Sequence, residues 1–155
     1  MKTLLRNKNK GFTLIELLVV IAIIGLLASV VLLALNSARA KSRDAKRLAD
    51  VRQLATALEL YYNDNNAYPT QAAAAVITQG GTTLNVLVPN YVGALPTSPA
   101  PAEANCTGTG TSQTLNNSYV YLSADGRSYT LSFCLGGTTG GYGLGTHSVS
   151  PAGIQ

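Results

Sequence analysis

One stretch constrains this chain more than any other. Lys10-Gly-Phe-Thr-Leu-Ile-Glu16 is followed by nineteen residues, 17–35, without a charged side chain. As an α-helix rising about 1.5 Å per residue, that run comes close to the roughly 30 Å of a bilayer's hydrocarbon core. Glu16 stands at its start. An ionisable group costs about 2.5–3.5 kcal/mol at full membrane depth and less near the edge, so this carboxylate requires a partner.

With the apolar run set aside, a chain of 155 residues has length for one small core. Only 12% of residues are charged and there is a single histidine, His147, with no Cys or Asp close to it in sequence. Catalytic and metal centres need clustered His, Cys, Asp or Glu, so no enzyme, metal site or cofactor is expected, and His147 reads as a strand or surface residue. The formal charge of +4 suggests nucleic acid until its distribution is read. Lys2, Arg6, Lys8 and Lys10 all precede Gly11; beyond it, seven basic residues face seven acidic ones. The basic excess therefore concerns targeting, and no specific nucleic-acid partner is expected.

From Asn36 the pattern becomes amphipathic, with Leu48, Val51, Ala55, Leu58 and Tyr62 at steps of three and four. A helix is expected from about Thr13 to about Asn63, stopped by Asn63-Asp-Asn-Asn66 and Tyr68-Pro69. Between Arg39 and Arg52 lie six basic residues and two acids. No aromatic residue interleaves them, so they read as a solvated helix face with neighbours such as Asp44 and Arg47 paired at i,i+3.

Residues 67–117 have no sustained period. Within them Leu84, Leu87, Val88, Tyr91, Val92 and Leu95 are apolar anchors expected to lie on the helix as a connecting loop with short structure. Residues 118–135 carry the clearest β signal. Asp125-Gly126 there predicts a two-residue hairpin turn that pairs Leu122 with Tyr129 and Val120 with Leu131. That register turns Val120, Leu122, Tyr129, Leu131 and Phe133 toward the helix and places Tyr119, Tyr121 and Cys134 on the outer face. Residues 146–150 are expected to add an edge strand. Cys106 and Cys134 read as one disulfide if the domain is exported, and as two reduced core thiols if it is not. The bridge would stabilise the fold by roughly 3–4 kcal/mol in the chain-entropy model.

Two processing readings compete at the N-terminus. An ordinary secretory signal would be cut after Ala38-Arg39-Ala40, but its apolar region is about 7–15 residues long, with no physical reason to hold an acid. The alternative follows from Lys10-Gly11-Phe12-Thr13-Leu14-Ile15-Glu16 and the apolar run, which resemble the processing motif of the type IV prepilins and type II secretion pseudopilins. The resemblance implies a leader, residues 1–11, removed after Gly11 by a prepilin peptidase that also methylates the amine of Phe12. It implies that Glu16 pairs with the Phe12 amine of a neighbouring copy. It further implies a precursor in the cytoplasmic membrane and, through the assembly machinery, an extracellular filament of copies of this chain, either a type IV pilus or a secretion pseudopilus. The expected architecture is α+β and pilin-like: an apolar half-helix (12–35), an amphipathic half-helix (36–66) and a head (67–155) with a small antiparallel β-sheet. Many relatives have a proline in the second half of the stem; here Gly25 is its only weak point, at about 1 kcal/mol relative to Ala.

Overall fold

A computed structural model describes residues 11–106 and 117–155. Residues 1–10 of the expected leader lie outside that range, as do positions 107–116. The chain divides into two compact units, one ending at Ala38 and the other Arg39–Gln155.

One α-helix, α1, runs Leu14–Asn65. No Gly or Pro falls between Gly25 and Pro69, and Leu, Ala, Arg and Lys dominate its second half, so backbone propensity favours helix throughout. Asn66 ends it: at φ 54° it is left-handed, and its N–H donates to the Tyr62 carbonyl at 2.7 Å. The expected span and stop signal are both present.

Around the second half of α1 the chain builds a five-stranded antiparallel sheet in the order β1 (Gln71–Val76), β2 (Val120–Ser123), β3 (Thr130–Leu135), β4 (Gly145–Ser150) and β5 (Gly153–Ile154). Its core joins Leu48, Val51, Leu54, Ala57 and Leu58 of α1 to Tyr121, Leu131, Phe133 and Val149 of the sheet. The α+β arrangement expected from the sequence is thus the observed one. A 3-10 turn at Thr83–Leu87 starts the connecting loop, whose Leu84, Leu87, Val92 and Leu95 are buried, with Val88 and Tyr91 packed beside them.

Five expectations are corrected. The hairpin register is Val120↔Ser132, Tyr121↔Leu131 and Leu122↔Thr130, one residue away from the expected pairing. A two-residue type I′ turn needs φ > 0 at both central residues. Gly126 has φ 70°, but Asp125 is not left-handed, and its Oδ1 instead accepts the Arg127 N–H at 3.0 Å, which lengthens the turn. One step of slip exchanges faces, so Tyr119 and Tyr121 lie in the core and Val120 does not belong to that cluster. Leu131 and Phe133 keep their inward place.

β1 was not expected: Gln71-Ala-Ala-Ala-Ala-Val76 has little β-branched character, and its pairing with β2 carries it. β4 is interior, because β5 covers its other side. Finally, Asp44 and Arg47 do pair, with Nη1 to Oδ1 at 2.7 Å, but each side chain is 1% exposed, so this part of the helix is not a solvated face. Tyr62 shows the opposite error: it is 38% exposed, and its ring stacks on Tyr68 at 4.6 Å.

The buried pair is heavily bonded. Asp44 accepts the backbone N–H of Gly136 at 3.0 Å through Oδ1 and of Gly137 at 2.9 Å through Oδ2. Arg47 donates from Nη2 to the Pro99 carbonyl at 3.2 Å and to Asn117 Oδ1 at 2.5 Å. Nearby, Arg43 Nε meets Glu103 Oε1 at 2.6 Å, and the Tyr119 hydroxyl donates to Asp50 Oδ2 at 2.7 Å. Removing one member of a buried ion pair typically costs about 3–5 kcal/mol because the other charge is left unpaired. Arg47→Met is therefore expected to destabilise the head by that amount in denaturant unfolding, whereas Lys41→Met, at an exposed position, should change stability by less than about 0.5 kcal/mol.

The tyrosines give the fold an alkaline limit. Burial, then its bonds to Glu59, push the Tyr68 hydroxyl up to about 12, and burial pushes Tyr121 up to about 12 as well. An unfolded tyrosine ionises near pH 10, so the neutral form favours the folded state. This stabilisation is complete below about pH 10 and is lost as the pH rises toward about 12. Ultraviolet titration should show tyrosines that ionise late and together with unfolding.

Candidate assembly site

The residues singled out at the N-terminus lie at the first turn of α1. Gly11 and Phe12 precede the helix, and Phe12 is 78% exposed. Thr13 is the residue before Leu14, the first helical position, and Glu16 is the third. The Thr13 N–H and hydroxyl both donate to Glu16 Oε2, at 2.9 and 2.6 Å, and the Glu16 N–H donates back to Thr13 Oγ1 at 3.3 Å. This reciprocal bonding is a capping box: it satisfies backbone donors that the first turn of a helix leaves without partners.

Glu16 thus has a partner within its own chain, where the sequence reading looked only to a second copy. Thr13 is the capping residue that reading missed, although Thr-x-x-Glu before an apolar run is the signature of such a cap. The arrangement orients the carboxylate at the helix start.

Beyond that turn, the large apolar side chains are exposed throughout: Leu17 58%, Ile24 59%, Val31 62% and Leu33 76%. By length and composition α1 is apolar enough here to cross a membrane. The helix passes Gly25 without a break, and Ser29 Oγ donates to the Gly25 carbonyl at 2.9 Å.

In the head, Cys106 and Cys134 form a disulfide with Cα atoms 5.6 Å apart. Cys134 is in β3, outside the core cluster that takes in its neighbours Phe133 and Leu135. His147 lies in β4, its ring against Phe133 and Tyr142 at 5.6 and 5.8 Å and its Nε2 2.8 Å from the Gly143 carbonyl oxygen. Among the described residues, no group of three or more His, Cys, Asp or Glu is placed to hold a metal ion.

Loss of the cap has a direct reading. Thr13→Val is expected to speed hydrogen exchange of the Ile15 and Glu16 amides while leaving the amides of Leu54 and Leu58 unchanged; equal rates in both chains would show that the cap does not hold the first turn.

Residues 6–32 match the family described as the prokaryotic N-terminal methylation motif. The chain is 33% identical over 145 residues to the type II secretion system core protein G of Vibrio cholerae, with 90% of this chain and 89% of that protein covered. It is 40% identical over 85 residues to core protein G of Escherichia coli, covering 55% of this chain and 59% of that protein. Identity to the type IV wide pilus major component PilA4 of Thermus thermophilus is 45% over 67 residues, covering 43% of this chain and 51% of that protein. The match therefore spans little more than half the length of these last two relatives. No solved structure matches. With its prepilin motif and an alignment to the Vibrio protein along nearly the full length of both, the chain belongs to the type IV pilin family, which includes the type II secretion pseudopilins.

Proposed function

We propose that this chain is a structural subunit of a type IV pilus-like filament. It is made as a membrane-inserted prepilin, cleaved after Gly11, N-methylated at Phe12 and polymerised through its stem. The observation that carries this reading is the exposed apolar half of α1, set directly behind a capped Glu16 and the Gly11-Phe12 junction. Such a helix needs lipid or other helices around it, and copies of the same helix supply the second environment.

Residues 12–35 act as the membrane anchor before assembly and as the filament core afterwards; residues 36–66 and 67–155 form the part that faces water. In the filament, Glu16 receives the Phe12 amine of a neighbouring copy. A charge in an apolar bundle is tolerable when paired, so the pair sets axial register as well as affinity. Cleavage also removes four basic residues, which leaves seven positive and seven negative side chains on the mature subunit. The partners are copies of itself, a prepilin peptidase and methyltransferase, and an ATPase-driven assembly machine. The filament is extracellular, and the chain's own role is not enzymatic.

A pseudopilus of type II secretion is the second reading. The likeness to core protein G of Vibrio cholerae over 90% of this chain favours it, since the pilus component of Thermus aligns over 43%.

Mass spectrometry of the mature chain should find N-methylated Phe12 as its first residue; a chain beginning at Lys41 would overturn the proposal. Glu16→Ala is expected to leave a membrane protein that is still cleaved but forms few filaments. Normal filament yield from that variant would remove the proposed pairing.

A further inference from the structure

The disulfide lies between the two segments that complete the buried ion pair. Cys106 follows Glu103 by three residues, and its N–H donates to the Glu103 carbonyl at 2.9 Å. Glu103 is the carboxylate that meets Arg43 Nε at 2.6 Å, with its Oε1 also 3.6 Å from Arg47 Nη1. Cys134 precedes Gly136 and Gly137 by two and three residues, and these donate their N–H groups to Asp44. The two segments also touch: a Cβ on Gly136 would overlap the Glu103 side chain, lying only 2.8 Å from its Cβ. The covalent bond and the polar closure of α1 therefore lie on the same two segments.

We propose that the Cys106–Cys134 bond is a redox latch on the helix: its oxidation holds Glu103 and the Gly136-Gly137 amides on the Asp44–Arg47 pair, and its reduction releases that closure while the rest of the head core stays formed. The latch closes by thiol–disulfide exchange. One cysteine thiolate attacks the disulfide of an oxidising partner protein, and a mixed disulfide forms as one partner thiolate leaves. The second cysteine thiolate then displaces the other partner sulfur. Two protons and two electrons leave this chain in all, and the partner departs as a dithiol.

The core does not depend on the latch for its contacts. Val51, Leu54 and Leu58 are fully buried in one cluster with Leu131 and Phe133, and none of them is a hydrogen-bond or ion-pair partner of Glu103, Gly136 or Gly137. Opening would expose Asp44 and Arg47, each 1% exposed when closed, at the start of the water-facing half of α1. A subunit still in a reducing compartment would thus carry an unfinished head, and export to an oxidising one would complete it.

Hydrogen exchange of the full chain in detergent micelles, oxidised and after treatment with a small dithiol, tests this. Reduction is expected to speed exchange of the Gly136 and Gly137 amides at least about 10-fold while changing Leu54, Leu58 and Leu131 less than about 2-fold. Unchanged rates at Gly136 and Gly137, or a uniform rise across all five amides, would overturn the latch. Glu103→Gln with the disulfide intact is the second arm. It should speed exchange at Gly136 and Gly137 by a factor of about 3 or more without affecting Leu58, and no change there would overturn the proposal whether or not the reduced chain stays folded.

Discussion

Everything in this molecule depends on one helix having to satisfy two environments. α1 is continuous from Leu14 to Asn65, yet its first half presents large apolar side chains on every face and its second half buries only one. Apolar surface of this extent drives association with whatever removes it from water. Under the proposed function, lipid serves while the chain is a precursor, and neighbouring stems serve in a filament. An all-round apolar helix suits both, because it has no polar stripe that either environment would reject.

The second half of α1 meets the opposite problem: it must be tied to its head with specificity. Hydrophobic contacts such as those of Leu54 and Leu58 are non-directional and fix rotation and register less tightly than polar bonds do. The Asp44–Arg47 pair adds direction. Each acceptor and donor there has a particular partner, drawn from residues 92 and 93 positions away in the case of the Gly136 and Gly137 amides. Such a network is costly when half satisfied and specifying when complete. Gly136 is part of the closure, because a side chain there would collide with Glu103.

What could be read from the sequence divides along the same line. The extent of α1 was legible, because its apolar period, the absence of Gly and Pro after Gly25, and the asparagines at its end all act locally. The anchors Leu84, Leu87, Val92 and Leu95 were legible for the same reason. The hairpin was legible as a hairpin, but its register was not: the Asp125 side chain bonding the Arg127 N–H decides between two turns that share the same Asp-Gly signature. The strand at Ala72 to Ala75 was hidden because alanine carries no strand preference of its own. Most instructive is Arg47. A solvated i,i+3 pair and a buried one look identical in sequence, and only the return of residues 97–103, 117 and 136–137 to the helix distinguishes them. At the assembly site, Gly11, Phe12 and Glu16 stood out by motif, whereas the capping role of Thr13 was written in the spacing and went unread.

The capping box gives the proposed assembly contact a physical starting point. Glu16 is held at the helix start by Thr13, whose N–H and hydroxyl both donate to its carboxylate. A neighbouring amine then adds to an oriented acceptor, so less side-chain freedom is lost on pairing. The most direct measurement is the structure of the assembled filament at side-chain resolution. The account predicts apolar stems packed together in the core, with the Glu16 carboxylate within hydrogen-bond distance of the Phe12 amine of an adjacent copy. Stems splayed apart, or a Glu16 bonded to Thr13 alone with the neighbouring amine elsewhere, would contradict it.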